Sequence, residues 1–125
     1  MLKISCFIFL TTLLLVIVKA GELKCSNPTE NPHNFKGTPS KSGCIVLSWK
    51  PVPKKKQGCG GLYYRISWGL NPEIFKGLKF IRDWTKSSYE ICDLEPKTEY
   101  FVMIVANNIY GEAIGPEPHL NVYSG

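Results

Sequence analysis

The sequence predicts an all-β sandwich of seven short strands. Three observations predict it. Apolar and polar residues alternate with period 2 in several short runs, most clearly over Tyr100–Asn107. Turn-forming Pro, Gly, Asn and Asp separate those runs. Seven such short runs follow one another, with no internal repeat or low-complexity tract.

The 125-residue chain opens with Lys3 and a mostly apolar run from Ile4 to Val18, followed by Val18-Lys19-Ala20. Small residues at the first and third of those places suit a signal peptidase, so residues 1–20 read as a secretory signal peptide cut after Ala20. The run is short for a membrane span, and no later stretch is long and apolar enough to cross a bilayer. Residues 21–125 are then expected to form one domain, enough for a single sandwich core. Lys3 and Lys19 leave with the leader, so the net charge falls from +5 to +3. That mild bias favours solubility and calls for no nucleic-acid partner.

Taken in order, residues 22–42 hold many Pro, Asn and Ser and read as an extended lead-in with an edge strand near His33–Lys36. Cys44–Lys50 is a strand with Ile45, Leu47 and Trp49 inward and Cys44, Val46 and Ser48 outward. A loop carrying Lys54, Lys55 and Lys56 leads to the strand Leu62–Trp68, with Leu62, Tyr64, Ile66 and Trp68 inward. Asn71-Pro72 marks a turn, and residues 78–82 (LKFIR) a short strand. Ser88–Cys92 is the fifth strand. Pro96 fixes φ in the turn before the sixth, with Lys97 and Thr98 carrying the chain round. In the sixth strand Tyr100, Val102, Ile104 and Ala106 share one face, and Phe101, Met103, Val105 and Asn107 the other. Residues 109–115 read as a loop, and Pro118–Tyr123 as the last strand.

The pattern Leu94-x-Pro96-x-Thr98-x-Tyr100 before an alternating strand resembles the tyrosine corner of fibronectin type III domains. The resemblance spans residues 28–124, through Trp49, the strand YYRISW and the corner. It implies a seven-stranded immunoglobulin-like β-sandwich in which Trp49, Leu94, Pro96 and Tyr100 are structural. NPHNFKG, IVLSWKP, LYYRISW, the spacing Ala106-x-Asn108-x-x-Gly111, and the GPEP and YSG stretches are similar to a repeat of neuroglian-type neural cell adhesion molecules. Cys44, Cys59 and Cys92 are additions to that pattern.

Four cysteines remain after the leader is removed: Cys25, Cys44, Cys59 and Cys92. An even count in a secreted chain reads as a disulfide framework, for which three connectivities exist. No CxxC is present and the chain has two His, so the spacing does not make a zinc site and no metal or cofactor is expected. The implied topology puts Cys44 and Cys92 together at the lower end of adjacent strands, and Cys25 and Cys59 at the upper end. The expected bonds are therefore Cys44–Cys92 and Cys25–Cys59.

No nucleophile elbow, phosphate loop or metal motif surrounds His33, His119 or any Ser, so no enzymatic activity is expected. The expected binding face lies on the outer side of the sheet made by the third, sixth and seventh strands. Tyr63, Arg65 and Ser67 project there beside Phe101, Met103 and Val105, on strands about 4.8 Å apart. Two loop features at the upper end are further candidates. Lys54, Lys55 and Lys56 suit sulfated glycans, and Tyr110 suits a loop-tip anchor. The expected function is extracellular protein–protein binding, as a soluble ligand or competitor of a cell-adhesion receptor. Alternatives are a cytokine- or growth-factor-binding module, against which no Trp-Ser-x-Trp-Ser box precedes the last strand, and a disulfide-stabilised secreted effector such as an inhibitor or venom component.

Overall fold

A computed structural model describes residues 25–125. The expected leader, residues 1–20, lies outside them. Among the described residues, eight strands form two antiparallel sheets: β1 (His33–Pro39), β2 (Ile45–Lys50), β3 (Tyr63–Asn71), β4 (Ile74–Ile81), β5 (Ser88–Ile91), β6 (Glu99–Asn108), β7 (Gly111–Glu112) and β8 (His119–Tyr123). One sheet has the order β1-β2-β5. In the other, β4, β3 and β6 lie side by side, and the far edge of β6 is shared by β7 and β8. The additional strand is β7, a two-residue partner that closes a hairpin on β6 where the sequence reads as loop.

The alternation predicted for β2, β3 and β6 builds the core. Ile45, Leu47 and Trp49 face Tyr64, Ile66, Tyr100, Val102, Ile104 and Ala106 across the sandwich, all buried. Trp68 joins this cluster half-buried, its ring lying over Gly77, where a Cβ would come within 2.2 Å of the indole. A side chain at position 77 would displace that ring.

Two tyrosine hydroxyls close the ends of the core. The Tyr64 hydroxyl is buried between the sheets; it accepts from the Val52 N–H (3.0 Å) and donates to the Trp84 carbonyl (2.8 Å). Its ring meets Trp49 edge-on at 5.8 Å. The Tyr100 hydroxyl accepts from the Glu95 N–H at 2.9 Å, five residues upstream, as the corner motif implies. Lys97 takes a positive φ of 52° in that turn. The C-terminal residues clamp the corner: the Thr98 N–H donates to the Ser124 hydroxyl (3.1 Å), and the Lys97 N–H to the Gly125 carbonyl (3.2 Å).

Both expected disulfides are present, Cys25–Cys59 and Cys44–Cys92. Cys44 and Cys92 follow directly from the ladder: Ile45 pairs with Ile91, so the next rung outward brings the two cysteines opposite one another. Cys44 keeps to the outer side of its strand, its sulfur within 4.8 Å of the carboxylate of Glu90, which pairs with outward Val46, yet it is only 3% exposed. The chain end folds over it, with the Gly125 N–H donating to the Cys44 carbonyl (3.0 Å) and the Gly43 N–H to the Gly125 carbonyl (2.7 Å). Leu94 closes the other side, its N–H bonded to the Gly43 carbonyl at 3.0 Å.

Two stability outcomes follow. Tyr64→Phe leaves a buried N–H and a carbonyl without their partner and should cost about 2 kcal/mol, against about 1 kcal/mol for Tyr100→Phe, in urea denaturation. Burial pushes the Tyr64 hydroxyl above its ordinary 10.0, opposed by the Val52 bond and reinforced by the negative charge of Asp83. A raised folded-state pKa means this contribution is complete below pH 10 and is lost as pH rises through the folded value. Tyr64→Phe should therefore flatten the alkaline fall in stability relative to the parent. Separately, the disulfides link residues 34 and 48 positions apart. Replacing either pair by Ala should lower stability by about 3–4 kcal/mol in the chain-entropy picture, and peptide mapping should recover 25 with 59 and 44 with 92.

Candidate protein-binding face

The outer face of the β4-β3-β6-β8 sheet is set by the ladder. Leu78 pairs with Ser67, Ser67 with Met103, and Met103 with His119, so these four form one row across the face. Phe80, Arg65 and Val105 form the neighbouring row, and Phe75, Gly69 and Phe101 the one on the other side. The segment following β3 thus joins the sheet edge as β4, rather than folding over the face. The predicted strand over 78–82 is the second half of this longer element.

The expected patch is redistributed. The alternation of β6 places Phe101 and Val105 in it, but Phe101 is 8% exposed and Val105 is fully buried. Phe101 is covered by Phe75, edge-on at 6.2 Å, and by His119, stacked at 5.4 Å. Val105 sits on β6 opposite Arg65 of β3, whose ion pair crosses the strand to β7 two residues further on: Arg65 Nη1 lies 2.9 Å from Glu112 Oε1, and Glu112 pairs with Asn107. Arg65 is thereby held within its own chain. Tyr63 and Met103 remain half-exposed. The exposed apolar surface comes from β4: Phe75 44%, Leu78 52% and Phe80 42%. Sequence reasoning missed these three. The signal was present as apolar residues at 75, 78 and 80, but their spacing breaks period 2.

The break is a β-bulge. Trp68 pairs with Gly77 but Gly69 pairs with Phe75, leaving Lys76 as an extra residue on β4. A three-residue step from Phe75 to Leu78 therefore covers the same distance on the face as the two-residue step to Phe80. At the top of the face, Tyr63 meets Phe80 edge-on at 5.8 Å, and the Arg82 guanidinium lies over both rings, 4.7 Å from Tyr63 and 5.3 Å from Phe80. Such a planar, stacked cation keeps its hydrogen-bonding edge available.

The upper end of the sandwich carries the loop candidates. Lys54–Lys56 form a single 3₁₀ turn, with Lys54 and Lys55 exposed and Lys56 drawn toward Glu30, 3.9 Å away. Tyr110 is half-exposed beside Ile109 at 85%, at the tip of the β6-β7 hairpin. The two loops are joined, since the Asn108 amide donates to the Gln57 and Ser26 carbonyls. The lead-in is stitched to β6 as well: Asn31 Oδ1 accepts from the Ala106 N–H at 2.8 Å. Composition marked these Asn and Gln residues as loop formers, whereas three of them, Asn31, Gln57 and Asn108, are buried backbone partners.

One potential metal cluster resolves into other bonds. Sulfur and carboxylate atoms of Cys44, Cys92 and Glu90 lie within 4.8 Å of one another. Both thiols are consumed in the disulfide, and Glu90 is engaged by the Ser40 hydroxyl (2.7 Å) and Lys41 (3.7 Å).

Solved structures of similar shape include the FN1-FN3 domains of chicken CNTN1, with a TM-score of 0.67, 19% identity, and coverage of 81% of this chain and 35% of that one. The fn3 domain of human contactin 1 gives 0.65 at 21% identity, covering 81% and 82%. The third fibronectin III domain of human KIAA0343 protein gives 0.61 at 24%, covering 79% and 86%. The fold is that of a fibronectin type III domain. Neuroglian of Drosophila melanogaster is similar in sequence, 28% identical over 99 residues. Those residues are 78% of this chain and 8% of Neuroglian, so the chain spans a small fraction of that relative. No protein-family model matches. Within the fibronectin type III architecture described here, the outer sheet face and the upper loops are two separate solvent-exposed surfaces. Among the described residues, no helix is long and apolar enough to cross a membrane.

Proposed function

We propose that this chain is a secreted, disulfide-stabilised single fibronectin type III module that acts by binding another extracellular protein through the outer face of its β4-β3-β6-β8 sheet. The observation that carries this reading is the exposure of Phe75, Leu78 and Phe80 along one side of β4 beside half-exposed Tyr63 and Met103. A contiguous apolar surface with a cationic rim is expensive to leave in water and marks a contact site. Aromatic residues, Met and Arg suit such sites, the rings as rigid anchors and Met as an adaptable filler. Similarity to Neuroglian supports a setting near cell adhesion, with the chain as a soluble ligand or competitor of a neuroglian-type receptor. Two disulfides suit an oxidising extracellular compartment. A face of this size implies weak or transient affinity for a single copy.

The test is a biosensor titration of the full chain, expressed in a secretory host, against a neuroglian-type receptor ectodomain. Saturable binding is expected, with Leu78→Asp and Met103→Asp each weakening it at least tenfold while their circular dichroism and melting behaviour stay native. Unchanged affinity in both variants would reject the face.

A second reading rests on Lys54 and Lys55, which are exposed and, among the described residues, form no ion pair. They would engage a sulfated glycan by charge alone, in a salt-sensitive manner. Replacing both by Ala should abolish retention on a heparin column at low salt; elution at an unchanged salt concentration removes this surface from consideration.

A further inference from the structure

We propose that the partner of the exposed sheet face is a second copy of this chain, docked face to face about a two-fold axis through Leu78. This deepens the protein-binding reading of the same face and rests on it. The ten residues Glu73-Ile74-Phe75-Lys76-Gly77-Leu78-Lys79-Phe80-Ile81-Arg82 read almost identically in both directions, with opposite charges at the two ends. An antiparallel two-fold contact requires that arrangement of a strand: apolar positions that match under reversal, and ends of opposite sign.

The bulge makes the match exact in space where it is one residue off in sequence. Phe75, Leu78 and Phe80 stand opposite Gly69, Ser67 and Arg65, which are alternate residues of β3. The three exposed side chains are therefore evenly spaced with Leu78 at the centre. An axis lying in the plane of the contact, perpendicular to β4 at Leu78, sets Leu78 on its own symmetry mate. Phe75 then meets Phe80 of the second copy, twice. Glu73, in the turn that leads into β4, falls at the end of the strand that carries Arg82 in the second copy, also twice. Among the described residues neither Glu73 nor Arg82 has an ion-pair partner within the chain, so both charges are left for the contact. The same axis follows the row Leu78, Ser67, Met103 and His119, so Met103 also falls on its mate. Arg65, tied to Glu112, lies over Gly69 of the second copy and meets no like charge.

Pairing through the edge of β4 is disfavoured by the same residues. Lys79 turns to the opposite side of the sheet, 6.0 Å from the Tyr89 ring, and Lys76 lines a groove with Trp68 and Leu70 on that side. Edge-to-edge antiparallel pairing would bring Lys79 against Lys76 of the second copy across a bulge, and lysines with a bulge are the usual means by which an edge strand is blocked. The lysines protect the edge and leave the face free.

The decisive experiment is sedimentation equilibrium of the full chain, expressed in a secretory host, at concentrations up to roughly 1 mM to reach a weak dimer. Weight-average mass should rise toward that of two copies. Arg82→Glu and Glu73→Arg should each weaken the dimer about tenfold, because either creates two like-charge pairs. The double exchange Glu73→Arg with Arg82→Glu should restore it, and an equimolar mixture of the two single variants should associate preferentially with each other. A parent chain that remains monomeric throughout overturns the proposal, as does a dimer that survives Leu78→Asp or a double exchange that fails to restore association. A monomeric parent whose receptor binding is nonetheless lost in Leu78→Asp rejects the second copy while keeping the face for a different protein.

Discussion

The structure depends on the ten residues of β6, held between β3 on one side and β7 with β8 on the other. Every residue from Tyr100 to Asn108 is buried except Met103. The inward members, Tyr100, Val102, Ile104 and Ala106, supply one wall of the core. The outward members are covered from within the chain, by Phe75 and His119 over Phe101 and by the Arg65–Glu112 pair beside Val105. A strand buried on both faces cannot shift register without moving the core set outward, so its position determines that of its neighbours. The tyrosine corner and the Cys44–Cys92 bond hold its lower end, while Asn31 and Asn108 hold the upper end.

From that arrangement the distribution of exposed surface follows. Because β6 is covered except at Met103, most of the apolar surface that this face leaves to solvent lies one and two strands away, on β3 and β4. The edge strand β4 carries a charge pattern with two functions: Lys76 and Lys79 on the far side discourage strand addition, and the near side is left apolar. The upper loops form a separate, basic and partly apolar end, joined to the lead-in by the Cys25–Cys59 bond. A Cβ at Gly58 would lie 2.2 Å from the Ser26 carbonyl, so the backbone there approaches too closely for any other residue.

Most of the fold was legible in the sequence. Period-2 alternation in β2, β3 and β6 located the core side chains, and the corner motif located the turn at Pro96. The disulfide pairing followed from the topology the corner implies. What was not legible had physical causes. The bulge at Lys76 shifts alternation by one residue, so Phe75 does not register with Leu78 and Phe80 as one row until the ladder is known. Burial of Phe101 and Val105 depends on side chains from β4, β7 and β8, which are far apart in sequence. The burial of Cys44 comes from the C-terminal residues folding across it, a contact with no local signature. Asn31 reads as part of a polar lead-in, yet it supplies the acceptor for a β6 N–H.

In the proposed function the outer sheet face, and not the loop end, meets the partner. Backbone amide shift mapping of the ¹⁵N-labelled chain during titration with a binding ectodomain, or on increasing its own concentration, tests it most directly. The account predicts perturbations concentrated at Tyr63, Phe75, Leu78, Phe80, Arg82 and Met103, with residues 54–56 and 109–111 unchanged. Perturbations confined to those two loops, with β4 silent, would contradict it.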